Sequence, residues 1–402
     1  MFCNVRSGCV GFRRLFKPIH VNGPKWAALL GLPLVVASFQ LSASETSHNP
    51  GSRDVCAAVE SGDVPLRRLA WLARGFNLVG WVDREEPRRP DLGLLSRLRG
   101  LGFTHVRLPV DGEALMPAFA DKETIAERVR QVDLAVDLLL TLDYAVIVDM
   151  HPGSRFKAMH AAELDRAFEQ LEVAWRALAE RLSARDADRV FFELLNEPTV
   201  SQSIWDAQAV KLAAAIRKLA PDHTLIFGPS GAQEVATLAA TEPLDLPNVV
   251  YAVHFYAPME FTHQGLDWAG ETPLAELKNV PYPLLKSDPR AQALLLDLSP
   301  EATARLRAAM AEDWDDSRIA AALAPAADWA VKHRKPVIVD EFGVLGRHAG
   351  LADRARWLRA VRTEAERFCF GWTHWEFDEG FGFLDASGQQ VEPALAEALL
   401  GK

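Results

Sequence analysis

Cysteine is scarce in this 402-residue chain: there are four, and two of them, Cys3 and Cys9, fall in the first 43 positions. Neither a disulfide scaffold nor a cysteine-rich metal framework can be built from so few. Cys56 and Cys369 remain beyond that segment, able either to pair in an oxidising compartment or to stay as buried thiols. Positive charge is also short, 44 basic against 54 acidic residues. The resulting formal charge of −10 repels polyanions and argues against nucleic acid or an anionic membrane surface as partner. No Ser- or Pro-rich linker and no internal repeat divide the chain. What is present, 49% hydrophobic and 24% charged residues, is the make-up of a globular protein large enough to bury a core.

The first 43 residues differ from the rest. They carry Arg6, Arg13, Arg14, Lys17 and Lys25 with no acidic residue, then an apolar run from Trp26 to Phe39 that is short for a membrane span. Leu41-Ser42-Ala43 offers small residues for cleavage. Residues 1–43 are therefore expected to be an export signal, and Arg13-Arg14-Leu15-Phe16-Lys17 is similar to a twin-arginine motif. An uncleaved N-terminal anchor is the alternative. A periplasmic or extracellular protein is expected, free of the membrane once the signal is removed, with residues 44–402 forming one catalytic domain.

From Arg74 onward, short β-branched runs alternate with longer segments of helical period. The spacing predicts strands at Gly75–Trp81, Phe103–Pro109, Tyr144–His151, Val190–Asn196, Thr224–Gly228, Val249–Tyr256, Pro336–Glu341 and Phe370–Trp375. Between them, the segment from Lys122 to Leu140 sets Val132, Val136 and Leu139 on one face, with Asp133 and Asp137 elsewhere. The segment from Leu164 to Leu182 repeats the device. Strand runs such as Ala145-Val146-Ile147-Val148 are continuously apolar, as in a parallel sheet covered on both sides. Eight βα units predict an α/β fold, a TIM (β/α)8 barrel, with one enlarged loop after the sixth strand from Ala257 to Pro300. An open doubly wound sheet is disfavoured because no Gly-rich fingerprint follows the first strand.

In such a barrel, reactive groups lie at the carboxyl ends of the strands, and here those ends are polar. Arg107 lies on the second strand, and the third ends in Asp149-Met150-His151. The fourth ends in Asn196-Glu197-Pro198, the sixth in His254-Phe255-Tyr256, the seventh in Asp340-Glu341, and the eighth in His374-Trp375-Glu376. Glu197 and Glu341 invite paired acid work. Cleaving a glycosidic bond with retention needs one carboxyl to protonate the leaving oxygen and another, about 5 Å away, to attack the sugar carbon. A neighbouring anion raises the pKa of the acid, and esterification of the nucleophile removes that anion. Arg107 and Tyr256 are positioned in the pattern to support the nucleophile.

These residues resemble the cellulase family of retaining glycoside hydrolases, family 5 of clan A. The markers are Arg74-Gly75-Phe76-Asn77-Leu78, His105-Val106-Arg107-Leu108-Pro109, Asp149-Met150-His151, Glu193-Leu194-Leu195-Asn196-Glu197-Pro198, His254-Phe255-Tyr256, Glu341-Phe342-Gly343 and Trp375, all in order. The resemblance implies Glu197 as acid/base and Glu341 as nucleophile. It implies Asn196 on the sugar 2-hydroxyl, Arg107, His254 and Tyr256 supporting the carboxylates, His151 lining the cleft, and Trp375 stacking on the sugar before the cut. Two positions depart from the family pattern. Pro152 follows His151 where glycine is frequent, and Asp340 precedes the nucleophile where an uncharged residue is common. Strand alternation predicts that Asp340 points to the other face from Glu341.

The expected activity is that of a cellulase-like endo-β-1,4-glucanase acting on a β-linked polysaccharide or oligosaccharide, as a monomer, with no cofactor and no metal. A β-mannanase, β-1,3-glucanase or β-glucosidase would use the same machinery. A carbohydrate-binding protein on a barrel scaffold and a metal-dependent barrel hydrolase are the rivals from other classes. Glu193 reads as a buried structural group and His105 as a core histidine. Trp81, Trp205 and Trp268 are candidate sugar platforms in loops, whereas Trp175, Trp314, Trp329 and Trp357 lie in helical segments and are expected to pack.

Overall fold

The computed structural model describes residues 52–266 and 272–401. The proposed signal, residues 1–43, and Trp268 lie outside them. Eight strands form a closed parallel barrel in sequence order, so the expected fold class is the observed one. They are β1 (Arg74–Asn77), β2 (His105–Asp111), β3 (Ala145–His151), β4 (Val190–Glu193), β5 (Thr224–Phe227), β6 (Val249–His254), β7 (Val337–Phe342) and β8 (Gly371–His374). β8 pairs with β1 through Arg74–Trp372 and Phe76–His374, which closes the ring. The expected β1 and β4 end too late, because their apolar pattern runs on after the hydrogen-bonded ladder has stopped.

Helices cover the outside. Helix Lys122–Thr141 starts at Asp121, whose carboxylate accepts the amide of Thr124, and it buries Val132, Val136 and Leu139. Its Asp133, expected away from the apolar face, is nonetheless buried and held by Arg181 of helix Leu164–Leu182 at 2.7 Å and by Arg185, just past that helix, at 2.6 Å. The charge can be buried because two arginines from the neighbouring segment pair with it. In the enlarged loop, Ser299 caps helix Pro300–Ala311 by accepting from the amide of Ala302. Buried Gln264 fastens the loop to Val280 with bonds in both directions. No helix among the described residues is long and apolar enough to cross a membrane.

Strand alternation builds the interior in layers. Ala145, Ile147, Phe191, Ile226, Val250, Ala252 and Ile338 fill the lower barrel, joined by Val64 and Leu72 from the segment ahead of β1. The opposite faces of the strands, with Val146, Val148, Val190 and Phe192, pack outward into the larger core under the helices. Cys56, in helix Ser52–Glu60, forms a disulfide with Cys369 just beyond helix Leu351–Arg367, with Cα atoms 5.3 Å apart. The pair ties residues 313 positions apart.

Candidate active site

Above the apolar layer the same inward positions become polar. Asn77, Arg107, Asp149, Glu193 and Asp340 are wholly buried there, and His254 nearly so. Arg107 organises them. Its Nε and Nη2 donate to both oxygens of Glu193 at 2.7 and 2.8 Å, and Nη1 donates to Asn77 Oδ1 at 2.9 Å and to Glu341 Oε1 at 2.8 Å. Nη2 also donates to Asn196 Oδ1 at 2.9 Å and lies 3.1 Å from Asp149. Burial works against the guanidinium, yet Asp149, Glu193 and Glu341 hold it charged. A charge can sit in this layer only because each of its faces meets an acceptor.

The mouth carries the two glutamates. Glu197 follows β4 on a turn where its own φ is 45°, a region that non-glycine residues rarely occupy. Its amide is held by the Oε1 of buried Gln233 at 2.8 Å, and Gln233 in turn receives the amide of His254 on its carbonyl. The ends of β4, β5 and β6 are thereby locked together. Glu341 accepts from Arg107 and, on its other oxygen, from the Tyr256 hydroxyl at 2.9 Å. Burial first, then the Glu341 charge, keeps that hydroxyl well above its usual pKa and hence a donor.

A ligand atom from each of Glu197, His254 and Glu341 lies within 4.8 Å of the others. Nδ1 of His254 stands 3.1 Å from Glu197 Oε1 and 3.5 Å from Glu341 Oε2, within reach of both carboxylates when that nitrogen carries a proton. Burial would lower the His254 pKa, but Glu341, Asp340 and Glu197 raise it to about 9. Burial likewise would raise Glu197; the hydrogen bond and charge of His254, with Lys157 at 3.6 Å, hold it down to about 2.

One side wall is aromatic. His151 and half-buried Trp375 face each other nearly parallel, 18° apart with centroids at 6.0 Å. They line a cavity of about 360 Å³ with Asp83, Pro109 and Phe381. His151 is oriented through Nδ1 by Asp149 at 2.8 Å, and Asn196 lies between its Nε2, 3.4 Å away, and Arg107. A larger depression of about 1040 Å³, rimmed by Glu113, Glu123 and Glu127, holds neither glutamate of the pair. The cleft at the strand ends is the chemical site because the converging polar groups are there, not because it is the roomiest hollow.

All eight residues expected at the site, Arg107, His151, Asn196, Glu197, His254, Tyr256, Glu341 and Trp375, are therefore in one cluster. Three expectations need correction. Asp340 does not turn away from Glu341: a register shift between Val339 and Phe342 breaks the alternation, so both consecutive carboxyls face the barrel interior. Trp205 is in helix Gln202–Arg217, fully buried, with its indole N–H on the Gly228 carbonyl. Trp81 is only 5% exposed, so neither offers a platform to a sugar. Trp175, Trp329 and Trp357 pack as expected, while Trp314 packs from the turn between two helices. Glu193 is the buried partner of Arg107, and His105 bonds Thr373 at 2.8 Å, where burial lowers its pKa to about 3.

Sequence reasoning gave no site role to Asp149, Asn77, Gln233 and Lys157. Asp149 had a signal, since it lies two residues before His151 on the same side of β3. Lys157 and Gln233 come from a helix and a loop with no motif to mark them.

A model of the family described as cellulase (glycosyl hydrolase family 5) matches residues 72–378. Endoglucanase 3 of Fibrobacter succinogenes is 25% identical over 358 residues, which are 82% of this chain and 53% of that protein. Endoglucanase C of Acetivibrio thermocellus is 25% identical over 332 residues, 75% of this chain and 90% of its own. The chain thus spans about half the length of the first of these relatives. Among solved structures, endoglucanase Cel5A from Thermotoga maritima superposes with a TM-score of 0.68 at 23% identity, covering 84% of this chain and 99% of that one. The cellulose synthase subunit Z of Clostridioides difficile gives 0.66 at 23% identity, covering 81% and 99%. These two likenesses concern the fold.

Proposed function

The chain belongs to the cellulase family, glycosyl hydrolase family 5, and from that premise we propose that it is an exported, retaining endo-β-1,4-glucanase with Glu341 as nucleophile and Glu197 as acid/base. The observation that carries the reading is the approach of one carboxylate oxygen of each to within 4.8 Å of the other, which supports the close pair that double displacement uses.

In the first half-reaction Glu341 attacks the anomeric carbon while Glu197 gives its proton to the departing glycosidic oxygen. Arg107 and Tyr256 hold one lone pair of each Glu341 oxygen, which fixes the carboxylate against rotation. In the second half-reaction Glu197 takes a proton from water, and the water oxygen displaces Glu341 from the sugar. The unliganded site suits this second step, because His254 and Lys157 hold Glu197 as a carboxylate. For the first step the sugar must take the place of water around Glu197, which is 33% exposed, and part it from Lys157. The parallel faces of Trp375 and His151 favour a flat pyranose ring at the neighbouring position. The Asn196 amide, oriented by Arg107, is placed for the 2-hydroxyl.

Export is supported by the Cys56–Cys369 disulfide, which suits an oxidising compartment, together with the basic and apolar N-terminal sequence. The test is release of reducing ends from a panel of soluble β-glucans, β-mannan and aryl glycosides. Internal cutting of β-1,4-glucan is expected; no turnover on any of them, with measurable binding, would favour a carbohydrate-binding protein. Mannan is included because Thermotoga maritima Cel5A has been solved with mannotriose as well as cellobiose.

A further inference from the structure

Asp340 takes part in none of these steps, yet it sits among the groups that do. It is wholly buried, and neither of its oxygens has a hydrogen-bond partner. Buried carboxyls without partners are uncommon and call for a reason. The nearest donors are His254 Nε2, 3.5 Å from Oδ1, and Arg107 Nε, 3.8 Å from Oδ2. His254 Nε2 also lacks a partner. Two unsatisfied buried atoms therefore face each other across a gap that a shift of a few tenths of an ångström closes to a hydrogen bond. The other ring nitrogen of the same histidine faces Glu197 and Glu341.

Resting on the assignment of Glu197 as acid/base, we propose that Asp340 is a positioning residue for that acid. It keeps a proton on Nε2 of His254, and the imidazolium so formed sets the upper pH at which Glu197 can still donate.

The groups facing His254 agree with this. Glu193 and Glu197 come from β4 and the turn after it, Asp340 and Glu341 from β7, and Arg107 from β2, where its donors are taken up by Glu193, Asn77, Asn196 and Glu341. Burial, then Glu193, raises the Asp340 pKa against the opposing charges of His254 and Arg107, while His254, which burial would lower, is raised by Glu341, then Asp340, to about 9. The pair thus shares one proton, which in the proposed arrangement sits on Nε2, 3.5 Å from Oδ1. Positive charge at Nδ1 lowers the Glu197 pKa, so the limb on which activity fails as pH rises comes earlier than it would without Asp340. Only the bulge at the end of β7 makes this possible, because regular alternation would aim one of the two consecutive carboxyls away.

The experiment compares wild type with Asp340→Asn and Asp340→Ser, following kcat/KM on a soluble β-glucan from about pH 4 to about pH 9 and the nitrogen resonances of His254 by NMR over the same range. The basic limb is expected to move up by about one pH unit in the variants, while His254, an imidazolium at neutral pH in the wild type, becomes neutral. Superimposable profiles in folded variants would overturn the proposal. So would a neutral His254 at pH 7 in the wild-type protein, a readout that stands even if neither variant folds. If the wild type cleaves no glycan, the functional reading fails, but the His254 resonances still decide this inference.

Discussion

Replacing Arg107 by methionine removes the permanent cation of the buried layer and is the most searching single substitution for the architecture of the site. Five hydrogen bonds are lost, to both oxygens of Glu193, to Asn77, to Asn196 and to Glu341. The deleted guanidinium leaves Glu193 and Asp149 wholly buried beside each other, with only the imidazoles of His254 and His151 to offset their charge. Breaking a buried pair from one side costs about 3–5 kcal/mol. The sign with pH follows from Glu193, whose pKa burial already raises while Arg107 lowers it. Without Arg107 it rises further above its unfolded value, so the protonated form is favoured in the native state. Stability in the variant should thus be greatest at low pH and be lost as pH rises through the folded pKa. Urea unfolding at about pH 4.5 and about pH 7.5 measures this. The deficit relative to wild type should be clearly larger at the higher pH, and kcat/KM should fall by at least about 100-fold because Glu341 and Asn196 lose their anchor. An equal deficit at both values, or near-normal activity in a folded variant, would refute the reasoning.

Two further substitutions probe separate parts of the account. Tyr256→Phe removes the 2.9 Å bond to Glu341 without changing the ring packing against His263, so kcat/KM should fall roughly 10–100-fold with the unfolding midpoint little changed. A fall in stability with activity intact would contradict the role of that hydroxyl. Replacing Cys56 and Cys369 together by serine opens a loop of 313 residues, for which loop-closure entropy sets a ceiling of roughly 5–6 kcal/mol. Thermal unfolding should shift downward while kcat and KM stay put, since neither cysteine approaches the cleft; unchanged unfolding would mean that the bond does not form in the protein as made.

The barrel was legible because parallel strands sheathed by helices are apolar on both faces, and eight such runs separated by amphipathic segments leave few other topologies. That the eight candidate residues gather at the barrel mouth was legible for a related reason: a polar side chain at the end of an apolar strand is costly unless it has a task. Strand ends were less clear, since Leu78 and Val79 extend the apolar pattern of β1 beyond Asn77, where the ladder stops. The facing of Asp340 was out of reach, because a bulge is a property of the pairing between β7 and β8 and leaves no mark in one strand read alone. Trp205 was misread because its helix begins at Gln202, only five residues after Glu197, and the short connection looked like a loop. The Cys56–Cys369 bond depends on two chain ends meeting under the barrel, which no local pattern encodes.

The covalent step can be examined without any substitution. A 2-deoxy-2-fluoro cellobioside with a good leaving group slows hydrolysis of the ester more than its formation, so the intermediate accumulates and can be found by mass spectrometry of the digested protein. The sugar should be attached to Glu341, and the first product of ordinary turnover should retain the β configuration. A label on any other residue, or release of the α anomer from unlabelled enzyme, would contradict a nucleophile and an acid/base lying within 4.8 Å of each other at the barrel mouth.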